Sequence, residues 1–311
     1  MKETIEFALF RAVQRMARLL SYPAAERLGR ALGLLAYALT RSRRRVALDN
    51  LRHAFPEKNA GELRAIARGA FKNYGISLVE MLWSGQTDRE ELSRLVRLVN
   101  PEVAYHARER GKGIILLSGH FGSWELLVSG FLIQLGWPAH VIVQLQRNRK
   151  INAIIDAQRR RFNVTTIPMG ISVREVLKAL QRKEVLFLLG DQSGPKESLF
   201  VEFFGRPAAT HKGTAAFSLR SGAPIVFVAL IRQHDGTHQA VFEEVDRSGL
   251  EKYSDENVAE LTRRHTAVLE RFIRRYPDHW LWMHKRWKHT EYYQSLQTPD
   301  LPQVSVNQDV E

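Results

Sequence analysis

The sequence predicts an α/β fold: a mostly parallel, twisted sheet flanked by helices and preceded by an all-helical region. Three observations carry this expectation. From about residue 100 onward, short apolar runs alternate with stretches of helical periodicity, the pattern of right-handed βαβ units. The run 114–117 holds four apolar residues between Gly113 and Ser118-Gly119, as in a strand covered on both faces. The first 92 residues show helical spacing only.

Each element follows from local pattern. Ile5, Leu9, Val13, Met16 and Leu20 form an apolar stripe, with Arg11, Arg15 and Arg18 on another face, as in an amphipathic helix. Leu28, Leu32, Leu35 and Leu39 repeat the design, and Arg41, Arg43, Arg44 and Arg45 follow directly. Asn59-Ala-Gly-Glu62 reads as a capping box opening a helix to about Trp83. Strands are expected at 114–118, 141–145, 164–167, 185–189, 224–231 and 239–245, and helices at 124–135, 151–161, 173–182, 213–220 and 257–275. Ser123 or a neighbour is placed to cap the first of these helices. The organisation expected is a helical, membrane-associating region (1–92), an α/β domain (93–296) and a disordered tail (297–311), where prolines and polar residues replace apolar periodicity.

Lysine and arginine number 46 against 33 acidic residues, giving a net charge of +13 and a pI near 10.1. That balance calls for an anionic partner: nucleic acid, an anionic membrane surface or an acidic carrier protein. Cysteine is absent, which excludes disulfides and thiolate metal sites. Arg11, Arg15 and Arg18 interrupt the apolar start, against a cleavable signal peptide of the usual form. The longest uncharged run, 126–146, is broken by Gly136-Trp137-Pro138 and is not expected to span a membrane. A nucleophile elbow, a Walker A loop and a dinucleotide fingerprint are missing. No cofactor is expected, since an acyl donor that arrives activated needs none. His279, His284 and His289 recur at five-residue steps that turn the rings apart, so no metal site is expected.

The pattern His-x4-Glu occurs three times, at His120/Glu125, His238/Glu243 and His265/Glu270. On an unbroken helix five residues span about 140°, and only the first pair straddles a turn, where the spacing can close. His120 thus stands at the carboxyl end of a buried strand, where open α/β sheets place their ligands. It is the candidate general base for a hydroxyl attacking an activated acyl carbon. Glu125 either orients the imidazole or holds a nearby arginine in the acceptor site. Asp191, after the strand 185–189, either reaches the same crevice or closes a turn. The apolar loop 199–205, with Phe203 and Phe204, precedes Thr210 and can wall an acyl chain. Arg147 and Arg149 follow another strand and suit phosphate or carboxylate recognition through forked donors, whereas Arg159, Arg160 and Arg161 read as a solvated basic face. The segment 280–288 mixes tryptophans with cations, as at a membrane interface or a base-stacking surface.

With these residues in place, the chain from Leu28 to Trp287 resembles the late acyltransferases of lipid A biosynthesis. This lauroyl/myristoyl transferase family also includes mycobacterial phosphatidylinositol mannoside acyltransferases. The resemblance rests on Asn50-Leu-Arg-His-Ala-Phe-Pro-Glu57, Gly119-His120-Phe-Gly-Ser-Trp-Glu125, Arg147 with Asn148, Gly190-Asp191-Gln192, Phe203-Phe-Gly205 through Thr210, and Pro277 onward to His284-Lys-Arg-Trp-Lys288. It implies a bacterial inner-membrane enzyme at the cytoplasmic face, with a glycerolipid-acyltransferase-like α/β domain. Such an enzyme moves a fatty acyl group from an acyl carrier protein, or an acyl-coenzyme A, onto a hydroxyl of a lipid A precursor or related membrane glycolipid. Carried over, His120 matches the family base, Glu125 the acidic member of its motif, Arg147 the arginine after the second strand, and Asp191 the acidic residue after a later strand. Asn148 departs from a common proline, Gln192-Ser193 from a more acidic or aromatic run, and Trp287 from phenylalanine. The partners expected are the thioester donor, the glycolipid and an anionic membrane surface, with no nucleic acid. Two other readings compete: acylation of another membrane lipid, and a basic peripheral protein binding RNA or membrane with His120 structural.

Overall fold

The computed structural model describes residues 2–85, 87–170 and 173–297, and the tail expected to be disordered lies outside them from residue 298. The chain opens with α1 (Lys2–Arg18), α2 (Tyr22–Leu39), α3 (Arg41–Ala54), α4 (Ala60–Ser84) and α5 (Arg89–Leu95). The expected box starts α4: the Asn59 carboxamide oxygen accepts from the Gly61 and Glu62 N–H groups, and Glu62 Oε2 accepts from the Asn59 N–H. Helices α2 and α4 touch backbone to backbone. A Cβ on Gly33 would come 2.3 Å from the Phe71 oxygen, and one on Gly75 2.4 Å from the Gly29 oxygen. This contact turns the opposite face of α2 outward, leaving Leu28, Leu32, Leu35 and Leu39 42%, 47%, 53% and 70% exposed. Among the described residues no helix is long and apolar enough to cross a membrane.

The chain continues through β1 (Val96–Leu98), α6 (Glu102–Glu109) and β2 (Ile114–Ser118). A helical stretch follows in three parts: α7 (Trp124–Leu126), a π turn (Leu127–Phe131) and α8 (Leu132–Leu135). Then come β3 (Ala139–Val143), α9 (Arg149–Arg160), β4 (Val164–Pro168), α10 (Val173–Gln181) and β5 (Val185–Leu189). A hairpin of β6 (Leu199–Phe203) and β7 (Arg206–Thr210) precedes α11 (Gly213–Ser221), β8 (Ile225–Arg232), β9 (His238–Glu244), α12 (Asp255–Arg275) and α13 (Thr290–Gln297). The seven-stranded sheet has the order β1-β9-β8-β2-β5-β3-β4. The five strands from β8 to β4 are parallel, while β9 runs antiparallel to β8 and carries β1 parallel to itself.

Strand alternation divides the interior into two cores. Ile115, Leu117, Leu186, Leu188 and Phe227 face one, with α3, α4, α11 and α12; Ile114, Leu116, Val185, Phe187 and Val228 face the other, with the π turn. Burial on both faces is why these strands read as unbroken apolar runs. Helix α4 enters both cores, with Phe71 in the first and Val79 and Trp83 in the second.

A buried polar cluster ties α2 and α4 to strands β8 and β9. Glu80, fully buried, accepts from Arg232 Nη1 at 2.5 Å and Nη2 at 2.9 Å, and its Oε1 lies 2.7 Å from the Tyr22 hydroxyl and 3.1 Å from His238 Nε2. Burial penalises the Glu80 charge, but Arg232 and His238 outweigh it and hold the carboxyl well below its ordinary range.

Three expectations need correction. Residues 199–205 are not a loop but the first strand and turn of the β6–β7 hairpin, with Phe204 at φ 52° and Gly205 at φ 71°. Positive φ at both turn positions matches the right-handed twist of the flanking strands; the Phe204 ring is held among Phe55, Trp282 and Trp287. The tryptophans and the arginine of segment 280–288 are interior, while Lys285 and Lys288 are exposed: Trp280, Trp282 and Arg286 are at most 2% exposed, and Arg286 donates to the Ala209 carbonyl and to Thr210 Oγ1, both at 2.6 Å. Ser123 precedes α7 but its hydroxyl makes no cap and is buried without a protein partner.

Candidate active site

Strands β2 and β5 are neighbours with Ser118 beside Leu189. Two residues beyond each, the chain carries a polar side chain, His120 and Asp191, so the register sets them side by side. Gly119 permits the approach: a Cβ there would stand 3.1 Å from Asp191 Oδ2. The Asp191 carboxylate accepts from His120 Nδ1–H at 2.8 Å, the His120 backbone N–H at 2.8 Å and the Trp280 indole N–H at 2.9 Å. An ionised carboxylate only accepts, which fixes the proton on Nδ1 and leaves Nε2 as the basic nitrogen.

Burial opposes both charges in this pair. The Asp191 carboxylate overcomes it and holds His120 above the ordinary imidazole range. In return the His120 charge and the converging N–H donors hold Asp191 down at about 2, although it is 2% exposed. The His120 Nε2 lies 3.3 Å from the Gln192 amide nitrogen. Its ring stands edge-on to Trp124 at 5.0 Å, and Trp124 stacks on Tyr74 at 6.1 Å.

Of the two roles open to Glu125, the geometry gives the hold on an arginine. Its carboxylate receives Arg159 Nη2 at 2.5 Å and Nε at 3.4 Å, with the two side chains 16% and 13% exposed. The imidazole is oriented by Asp191 instead. Arg159 is therefore not part of a solvated face, whereas Arg160 and Arg161 are exposed.

Beside His120 opens a cleft of about 300 Å³, walled by Val128, Val141, Val143, Met169, Phe187 and Leu189, with Glu125, Arg159, Gln192 and His211 among its polar lining. Arg147 is 67% exposed and pairs with Glu6 of α1 at 3.1 Å; Arg149 is exposed in the first turn of α9; neither lines the cleft. Asn148 between them caps α9, its side chain accepting from the Lys150 N–H at 3.2 Å and donating to the Glu3 carbonyl at 2.8 Å. Phe203 and Phe204 pack with Trp280, Trp282 and Trp287 inside the first core, and Thr210 is fully buried against Arg286. The structure thus gathers His120 and Glu125 in the cleft lining with Asp191 bonded behind His120, and leaves the other five expected residues outside.

Sequence reasoning missed Arg159, Trp280, Trp124 and Gln192. Trp124 and Gln192 sit beside residues already singled out, a usable signal; Arg159 and Trp280 are brought in by tertiary packing alone. Among the described residues no three His, Asp or Glu side chains converge as metal ligands.

The family model for bacterial lipid A biosynthesis acyltransferases matches residues 2–289 of this chain. The chain is 29% identical over 280 residues to the lipid A biosynthesis palmitoleoyltransferase of Escherichia coli strain K12, covering 86% of each protein. With the lauroyltransferase of the same organism it shares 28% identity over 274 residues, 86% of this chain and 87% of the relative. A more distant relative is the phosphatidylinositol mannoside acyltransferase of Mycolicibacterium smegmatis, 20% identical over 207 residues, 64% of this chain and 65% of that protein.

Proposed function

The chain belongs to the bacterial lipid A biosynthesis acyltransferase family, and from that premise we propose that it transfers a fatty acyl group from a thioester to a hydroxyl of a lipid A precursor. The observation that carries the chemistry is the His120–Asp191 pair, with His120 lining a cleft that is apolar in one part and polar in another. As the acceptor oxygen attacks the thioester carbonyl carbon, His120 Nε2 takes its proton. The carbon–sulfur bond then breaks, and the proton passes to the departing thiolate, so ester and thiol are the products. Asp191 keeps Nδ1 protonated and stabilises the imidazolium that forms. Glu125 adds negative charge near His120 and locks Arg159 into the cleft wall. The Gln192 amide donates to Nε2 in the resting site and is displaced by the incoming hydroxyl.

The donor is an acyl carrier protein, a reading supported by the net charge of +13, since an acidic carrier is drawn to a basic surface. The membrane is met at its cytoplasmic side by the exposed leucine face of α2, with Arg41 and Arg45 exposed just beyond it. Apolar side chains with flanking cations suit the interface plane of an anionic bilayer. The RNA-binding alternative loses its main support because the aromatic residues of segment 280–288 are interior.

The test is turnover by the purified full-length protein, with acyl carrier protein thioester and a lipid A precursor in mixed micelles. Formation of one new ester per acceptor, lost in His120→Ala, is the expected result. No ester on any lipid hydroxyl with either thioester donor, or a His120→Ala loss under about tenfold with folding intact, overturns it.

A further inference from the structure

A second cavity, of about 330 Å³, shares no lining residue with the cleft beside His120. Its apolar lining comes from Phe71, Tyr74, Leu281 and Met283, and its rim carries Thr40 and Arg43. Two contacts connect it to the chemistry. Tyr74 stacks on Trp124, which abuts the His120 ring. His284, also in the lining, accepts from the Ser193 N–H at 3.1 Å through its Nε2, one residue beyond Gln192.

We propose that this cavity is the acceptor subsite, taking an acyl chain and the adjoining phosphate of a phosphorylated lipid, with Arg43 as the phosphate ligand. Transfer needs two substrates at one base; His120 lines the first cleft, and the second cavity connects to it through the Tyr74–Trp124 stack and through His284 on the Ser193 N–H. The assignment rests on charge. In the apolar cleft Arg159 is neutralised by Glu125, and Arg147 nearby is committed to Glu6. Arg43 is exposed, has no carboxylate partner among the described residues, and makes only a long 3.4 Å contact to the Met283 carbonyl. A forked, uncommitted guanidinium at the rim of an apolar groove fits phosphate above and hydrocarbon below. Continuity adds to this: Ala36 and Thr40, at the end of α2, line the cavity, and the exposed Leu35 and Leu39 flank them. The leucine face and the cavity are thus adjacent along the end of α2.

This inference rests on the acyl transfer proposed above, so its test includes a reading independent of turnover. Equilibrium binding of a phosphorylated lipid A precursor to full-length protein without donor is measured for wild type, Arg43→Gln and Thr40→Trp, the last filling the cavity from its exposed rim. Arg43→Gln is expected to weaken binding about tenfold, as loss of one charge-assisted hydrogen bond does. It leaves binding of the dephosphorylated precursor and the donor KM unchanged, while Thr40→Trp weakens both precursors. Wild-type and Arg43→Gln proteins that bind the phosphorylated precursor equally overturn the subsite, as does a rise in donor KM instead. Vesicle binding to phosphatidylglycerol that falls in parallel with precursor binding assigns Arg43 to the bilayer surface and also overturns it. Specific binding lost in the variants, with no ester formed by wild type, removes the proposed reaction and leaves the subsite standing.

Discussion

Arg159 closes on Glu125 with its Nη2 2.5 Å from Oε1, across 34 residues of chain, and both side chains are more than four-fifths buried. A pair so enclosed acts as one unit: removing either partner strands the other's charge beside the apolar wall of the cleft.

The first expectation follows from that coupling. Glu125→Gln lowers thermal stability, and adding Arg159→Gln to it restores part of the loss, with a coupling of about 0.5–3 kcal/mol in a double-mutant cycle. Activity is not restored, because the charge near His120 is gone. Strictly additive changes in Tm from the two single variants would mean the pair does not form in solution.

The second concerns pH. His120 must be neutral to accept a proton, and Asp191 holds it above the ordinary imidazole range despite burial. The rate therefore rises with pH through a midpoint above about 6.5, the free imidazole value. Asp191→Asn removes the charge that raises this midpoint and lets an amide N–H face Nδ1, favouring the wrong tautomer. Its acidic limb moves to lower pH, and kcat falls about 10²–10⁴-fold. Identical limbs in both proteins would detach Asp191 from the base.

Third, Glu80→Gln leaves Arg232 buried against a neutral partner, which costs about 3–5 kcal/mol and lowers Tm by roughly 10 °C. Glu80 has a depressed pKa in the fold, so its contribution is present above the unfolded carboxylate pKa and is lost as pH falls through the folded one. Urea unfolding followed by circular dichroism should show the gap between wild type and variant closing in acid. A gap independent of pH would assign the loss to packing.

Fourth, Leu32→Glu and Leu35→Glu alter exposed positions and should leave the fold intact. Each removes apolar burial of about 1.5–3 kcal/mol per leucine at the bilayer, so flotation with anionic vesicles should weaken about tenfold or more per substitution. Undiminished flotation of the double variant would take α2 off the membrane.

The sheet was legible because burial on both faces leaves an unbroken apolar run, and 114–118 and 185–189 match β2 and β5 to the residue. Those same strands made His120 and Asp191 legible, since each stands two residues past its strand end. What the sequence hid lies in packing between distant segments. Arg159 and Arg160 are adjacent and chemically identical, yet one is enclosed and the other exposed; only the placement of α9 against α7 separates them. The tryptophans after Pro277 look interfacial because composition does not say that Arg286 will spend its charge on a carbonyl and a hydroxyl inside the first core. The turn at Phe204 escaped because a phenylalanine with positive φ depends on ring contacts from Phe55, Trp282 and Trp287, none of them local.

The Trp280 bond to Asp191 has a consequence for when the molecule becomes chemically competent. The neighbouring backbone closes the same turn: the Gly122 N–H donates to the His279 carbonyl at 2.8 Å, and the Leu281 N–H to the His120 carbonyl at 3.2 Å. A ribosome delivers residues 279–281 long after the base and its cleft have emerged, and folding during synthesis proceeds from the N-terminal side. A nascent chain thus holds an imidazole whose carboxylate lacks its indole donor and whose turn is unpinned. The imidazole–carboxylate geometry is therefore completed only when this late segment docks.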